Sequence, residues 1–390
     1  DDGRQGLVEN YLPITSRPGA AATDDYGIRQ LMTAIDLRSD TVTKPTPEMR
    51  RAIAEALVDD DVIDVDPTVD QLQKYTAELL GKEAAIFMPS GTMTNQIAIR
   101  IHCKPGDEFL CERFCHIFNY EQAAFAQLSG VVAQTVPGDA GVLHVDQLRG
   151  LIRADNDHLV RTRLVCLENT HNRAGGRVQP HENVSEICQW AHDNGLRTHL
   201  DGARLFNAVA ASGIEAAEWG RHFDTVSVCF SKGLGAPVGS ALAGSAELIR
   251  EARRHRKLFG GGMRQAGVIA AGALYALRHH RQLLPEDHAK AQTLAGAVIA
   301  TDGLELTAPQ VESNIVIFRV DSSLSTAAAF AATLEEQGVR MLSLGPDIIR
   351  AVTHLDVTAN EVEKAAQVLR QTAHDLASGM RQPATGGVSY

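Results

Sequence analysis

The chain has 390 residues, 22% charged and 44% hydrophobic, with a formal net charge of −11 at pH 7. That length can bury one large core plus a smaller one, and the acidic balance with no basic run excludes a nucleic-acid footprint. The longest apolar stretch, Ala266 to Leu277, lies between Arg264 and Arg278 and is too short to span a bilayer, and six irregularly spaced cysteines read as reduced thiols of a cytoplasmic protein.

Residues 1–32 carry Pro13, Pro18 and several small residues without a sustained period, so a poorly ordered arm is expected there. The sequence begins at Asp1 rather than methionine, which leaves room for a targeting segment upstream. From Ala84 short apolar runs alternate with helix-like windows. Ala84–Met88 reads as a strand and Thr92–His102 as a helix. Glu108–Cys111, Val131–Val136, Arg163–Leu167, Leu196–Leu200 and Thr225–Phe230 continue the strand series. Such alternation predicts crossover units and a mainly parallel sheet, whose sites gather at the carboxyl ends of the strands. A long helical stretch, Ser245 to Thr301, links this part to a smaller α/β unit. In that unit Asn314–Arg319 and Ile348–Val352 are expected strands, and Thr326–Gln337 and Asn360–Leu376 expected helices. The expected domains are 33–301 and 302–380.

The chemistry concentrates in Thr198-His-Leu-Asp-Gly-Ala-Arg204 and Cys229-Phe-Ser-Lys-Gly-Leu-Gly235. Asp201 and Lys232 both fall just past apolar runs, with the lysine 31 residues after the acid. Pyridoxal phosphate needs a lysine amine for covalent attachment, an acid against its pyridinium nitrogen and a cation for the substrate carboxylate. Lys232, Asp201 and Arg204 can fill those roles. Ser90-Gly91-Thr92 opens a helix after a strand, where free backbone N–H groups and the helix dipole make an anion site. Cys111 and Cys115, with His116 beside them, offer part of a metal site, but no second ligand pair follows at finger-like spacing and no metal is expected.

The sequence resembles the low-specificity L-threonine aldolases of the fold-type I (aspartate aminotransferase-like) pyridoxal phosphate enzymes, whose wider relatives are aromatic amino-acid β-eliminating lyases. DLRSDTVT, DPTV, SGTMTN, ENTHN, HLDGAR, SKGLGAPVGS, GGGMRQAG and RAVTHLDV carry the resemblance, from Asp36 to Val357. It implies an α/β fold with a mainly parallel seven-stranded sheet and a small C-terminal α/β domain. It also implies that Gly91 and Thr92 bind phosphate, His116 stacks on the cofactor ring, and His158 lies near the substrate hydroxyl. Arg204, with Ser39 and Arg350, would hold the substrate carboxylate, and Lys257 and Arg264 would reach a neighbouring subunit's site. A homodimer or a dimer of dimers is expected on that basis. One departure stands out: where the family shows an aromatic and a glycine in D-D-V-Y-G-x-D-P-T, this chain has Ile63 and Asp64.

The implied reaction is retro-aldol cleavage of L-threonine or L-allo-threonine to glycine and an aldehyde, with His116, His158 or a water as base. A β-eliminating lyase or racemase on the same scaffold is the rival, distinguished by its products. A non-catalytic binding protein is disfavoured by the presence of Lys232, Asp201, Arg204 and His116 together.

Overall fold

The computed structural model describes residues 34–384, so the arm expected over 1–32 lies outside the described residues. In chain order the strands are β1 (Ile35–Asp36), β2 (Ala84–Met88), β3 (Asp107–Glu112), β4 (Val132–Val136), β5 (Arg161–Glu168), β6 (Arg197–Gly202) and β7 (Thr225–Cys229). They continue as β8 (Ser240–Gly244), β9 (Leu304–Leu306), β10 (Ile315–Val320), β11 (Val339–Arg340), β12 (Leu342–Ser343) and β13 (Ile348–Val352).

The principal sheet has seven strands in the order β2-β8-β7-β6-β5-β3-β4. Strand β8 alone runs antiparallel to its neighbours, so the carboxyl ends of the other six share one edge. The expected mainly parallel seven-stranded sheet is therefore present. Strand β8 escaped the sequence reading because Ser-Ala-Leu-Ala-Gly is a small-residue run of low β-propensity. All five residues are buried all the same, held between β2 and β7. Trp219, Phe87 and Phe230 anchor the core beneath this sheet, each essentially fully covered. Burial of each contributes about 2–3 kcal/mol. Phe87 and Phe230 stack with ring centroids 6.4 Å apart, which fixes the residue just past β7, two before Lys232.

The second sheet, β12-β13-β10-β9, is antiparallel, and β1 pairs in parallel with β11. Its core gathers Phe318, Phe330 and Leu369 with Ile35 and Leu37 from the start of the described chain and Leu294 from the helix Leu284–Ile299. The stretch expected as one long helical link consists of three helices, Ala246–Leu258, Gly267–His279 and Leu284–Ile299. The first break is Gly260-Gly261-Gly262. Gly260 takes a positive φ of 81°, and a Cβ on Gly261 would lie 2.5 Å from the Met93 sulfur, so the turn presses against the helix Gly91–His102. Among the described residues no helix is long and apolar enough to cross a membrane.

Candidate active site

Six of the strands deliver their carboxyl ends to one edge, and the polar residues of the chain collect there. Register places Glu168 beside Asp201, and Asp201 beside Ser227, at the ends of β5, β6 and β7. A cavity of about 320 Å³ opens over that edge. Its lining brings together Lys232, Asp201, Arg204, His116, Ser39 and Arg350, six of the residues singled out from sequence.

Asp201 is buried at the floor. One carboxylate oxygen accepts from the Ala203 N–H at 3.1 Å and the other from Asn95 Nδ2 at 2.8 Å. The same Asn95 amide donates to Glu121 at 2.8 Å, and Glu121 in turn accepts from His116 Nδ1 at 2.8 Å. Burial alone would push the His116 imidazole down, but the Glu121 hydrogen bond and the nearby Asp201 and Glu168 carboxylates outweigh it and hold its pKa above the ordinary value. The His116 backbone N–H is fixed by Glu168 at 2.6 Å, which orients the ring into the cavity. Donor atoms of His116, Glu121 and Asp201 lie within 4.8 Å of one another. Their carboxylate oxygens are already engaged by Asn95, Gln96, Ala203 and His116, which makes the cluster a hydrogen-bond network. Cys111 and Cys115 are buried and stand outside it.

Two guanidinium groups form the opposite wall. Arg204 makes a two-pronged contact with Asp40, Nε to Oδ2 at 2.8 Å and Nη2 to Oδ1 at 2.7 Å, with both side chains buried. Burial would raise the Asp40 carboxyl, yet the Arg204 charge prevails and holds it well below the usual carboxylate range. Asn172 Oδ1 accepts from Arg204 Nη1 at 3.3 Å and from Arg350 Nη1 at 3.2 Å. The two cations therefore converge on one amide oxygen, an arrangement suited to a carboxylate. Ser39 Oγ, next to Asp40, accepts from the Thr41 hydroxyl at 2.8 Å, leaving its own hydrogen available to a ligand.

Ser90, Gly91 and Thr92 open the helix Gly91–His102. Ser90 Oγ caps it by accepting from the Met93 N–H at 3.2 Å, so the Gly91 and Thr92 N–H groups point outward from the first turn. A Cβ on Gly91 would meet only the Ser240 hydroxyl at 3.6 Å, and that buried hydroxyl has no partner among the described residues. Ser90 and Thr92 line a neighbouring depression with Phe259 and Gly260 rather than the main cavity. Asn95, which touches Asp201, follows Gly91 by four residues, about 6 Å of helix rise. An acid, an amine, a flat imidazole and an anion cradle with an orphaned hydroxyl thus adjoin one another. That donor set fits pyridoxal phosphate.

Three residues from the sequence reading stand apart within a single chain. His158 is exposed before the amino end of β5, whose length of about 23 Å separates it from the Glu168 edge. Lys257 is exposed in the last turn of the helix Ala246–Leu258. Arg264 is half exposed and pairs with Asp60 at 3.1 Å. Conversely, the structure brings in Asp40, Asn95, Glu121, Glu168, Asn172 and His199. All but Glu121 lie inside the motifs read from sequence, but as supports of other side chains. Arg173 also lines the cavity.

Known proteins bear on this arrangement. Residues 36–321 match the model of the Beta-eliminating lyase family. Low-specificity L-threonine aldolase 1 of Arabidopsis thaliana is 40% identical over 346 residues, 87% of this chain and 97% of the relative. The Low specificity L-threonine aldolase of Escherichia coli strain K12 is 41% identical over 333 residues, 85% and 97% of the two chains. Among solved structures, Leishmania major threonine aldolase superposes with a TM-score of 0.77 at 20% identity, over 87% of this chain and 99% of that one. That likeness bears on the fold.

Proposed function

The chain belongs to the beta-eliminating lyase family, and from that premise we propose that it is a pyridoxal phosphate-dependent aldehyde-lyase cleaving L-threonine and L-allo-threonine to glycine and an aldehyde. The observation that carries this reading is the convergence of Lys232, Asp201, His116 and the Arg204–Arg350 pair on one cavity, with the Gly91 helix start adjoining its floor.

Pyridoxal phosphate supplies, when bound, an electron-accepting ring for the electron pair released as the Cα–Cβ bond breaks. Lys232 is the residue that would hold it covalently, and the amine has no hydrogen-bond partner among the described residues. Asp201, fixed by Asn95 and the Ala203 N–H, would face the ring nitrogen as an acceptor. Gly91 and Thr92 would cradle the phosphate with backbone N–H groups. Arg204, Arg350 and Ser39 would take the substrate carboxylate, fixing the orientation of the amino acid. His116 donates through Nδ1 to Glu121 and presents its other nitrogen to the cavity, where it can accept the β-hydroxyl proton in its neutral form.

A homo-oligomer belongs to the same proposal. Leu57, Ile63, Val65, Leu258 and Val268 are large exposed apolar side chains. The segments bearing them are tied together, since the Asp61 N–H donates to the Arg264 carbonyl at 3.0 Å and Arg264 pairs with Asp60. Such a patch is the kind a second copy covers. It would bring Lys257 and Arg264 toward that copy's site. A division into a cofactor-binding part over 33–301 and a smaller part over 302–380 is also proposed; two separate cores favour two parts, with Ile35, Leu37 and the end of the helix Leu284–Ile299 packing into the second core. Six free, buried cysteines suit a reducing cytoplasm.

The test is to incubate the protein with pyridoxal phosphate and a panel of β-hydroxy amino acids, assaying glycine and aldehyde. Pyruvate and ammonia, or an inverted amino acid, would replace the aldolase reading by lyase or racemase chemistry. The departure at Ile63 and Asp64 makes bulkier β-substituents an essential part of the panel.

A further inference from the structure

Behind Asp201 runs a buried line of hydrogen bonds that ends far from the cavity. Asn95 Nδ2 donates to Asp201 Oδ2 and to Glu121 Oε1, both at 2.8 Å. An ionised carboxylate only accepts, so both amide hydrogens of Asn95 are committed and its Oδ1 must accept. The partner of that oxygen is His199 Nε2 at 3.2 Å, which therefore carries a hydrogen. A neutral imidazole protonated there accepts at Nδ1, and His199 Nδ1 lies 2.9 Å from the Thr225 hydroxyl. That hydroxyl donates to His199, and its oxygen accepts from His102 Nε2 at 2.9 Å. Every bond in the line thus donates toward Asp201.

The local sequence explains the alignment. His199 and Asp201 are two apart on β6, so both face the helix Gly91–His102, and register sets Thr225 opposite His199. Asn95 is one turn into that helix and His102 is its last residue. His199 is fully buried, and burial pushes its pKa down to about 4, which keeps the ring neutral; the Asn95 and Thr225 contacts then assign its single hydrogen to Nε2. Burial likewise pushes His102 down. No positive charge stands behind Asp201 in this line. What stands there is a row of neutral dipoles, each aligned by the next.

We propose that His199, with its tautomer locked by Thr225 and His102, is a positioning residue that acts through Asn95 to hold the Asp201 carboxylate aimed at the cofactor's ring nitrogen. The inference rests on the cofactor site described above and extends it to three side chains that never touch the cofactor. Threonine as substrate is not needed for it. Thr225 is the sharpest lever, because removing one hydroxyl unlocks the tautomer while Asn95, His199 and Asp201 all remain.

The experiment compares holoenzymes carrying Thr225→Val, Thr225→Ser and His199→Leu with the parent protein. The readouts are the nitrogen-NMR resonance of isotopically labelled cofactor ring, cofactor affinity from titration of the apoprotein, and kcat and KM. Thr225→Val and His199→Leu are expected to shift the ring nitrogen away from its protonated resonance. They should weaken cofactor binding and lower kcat by about tenfold each, the effect of one unit in a proton equilibrium. KM should be little changed, and Thr225→Ser should restore parental values. A merely structural role would lower stability without moving the nitrogen resonance. A parental resonance and cofactor affinity in Thr225→Val would overturn the proposal, and that variant decides the matter even where His199→Leu does not fold. A shifted resonance in a protein that cleaves no threonine would leave this inference standing and remove the aldolase reading.

Discussion

Asp40→Asn is the substitution whose outcome the structure constrains most tightly. Asp40 is fully buried, takes both prongs of Arg204 and also accepts from Asn314 Nδ2 at 3.3 Å, so it joins the Arg204 wall to the start of the second sheet. Replacing its charge leaves a buried guanidinium uncompensated, at a cost of about 3 kcal/mol or more. With about 2.1 cal/mol/K of unfolding entropy per residue over the described length, that corresponds to roughly 4 °C in Tm. Asp36→Asn is the internal control, because the Arg38–Asp36 pair is partly exposed, with side-chain exposures of 44% and 22%, and should cost less than about 1 kcal/mol. Thermal unfolding of both variants by circular dichroism gives the comparison. The folded Asp40 pKa is depressed below its ordinary 3.8, so its contribution is fully present above that value and lost as pH falls through the folded pKa. The gap between parent and Asp40→Asn should therefore hold at neutral pH and narrow only below about pH 4. Equal Tm losses for the two variants, or a gap that closes near neutrality, would refute the buried-pair argument.

Other outcomes follow from the same site. Lys232→Ala should lose the absorbance band of covalently held cofactor and nearly all turnover; a purified variant that stays yellow would move the attachment to another lysine. His116→Phe keeps a flat ring over the cavity but no proton acceptor, so kcat should fall by about a hundredfold or more while cofactor titration stays near parental. Unchanged kcat would assign the base elsewhere. Lys232→Ala and Arg264→Ala, unfolded together and reassembled, should regain partial activity if sites are shared between subunits, and no rescue in demonstrably mixed dimers would exclude sharing.

Much of this was legible in sequence because the chemistry sits at strand ends, where apolar runs stop abruptly. Lys232 follows such a run and Asp201 closes a mixed strand behind Leu200, and the parallel edge brings them together. Strand β8 was not legible, since its small residues carry no β signal and its burial comes from β2 and β7 on either side. The supporting residues were hidden for a different reason. Asn95 and Asp40 stood within the recognised motifs and Glu121 five residues past His116, but a buried polar side chain shows its partner only once elements distant in sequence are packed together, as Asp40 and Arg204 are across 164 positions. His199 is such a case: it shares a face of β6 with Asp201 in a mixed polar and apolar strand, and its complete burial appears only in the packed structure.

His158, placed by resemblance near the substrate hydroxyl, and Ile63, where the sequence departs from the family pattern, behave unlike the residues assigned to the cofactor. Lys232, Asp201, His116 and the two arginines meet in one chain. His158 lies beyond the opposite end of β5, and Ile63 stands 81% exposed. Neither residue lines the cavity of its own chain. If they shape the β-substituent pocket, they do so from a second copy, against the apolar patch around Leu57 and Leu258. Substrate preference and assembly then become one property. An Ile63→Tyr change should alter the ratio of threonine to bulkier substrates only in the oligomer, while leaving cofactor titration of the protein unaltered.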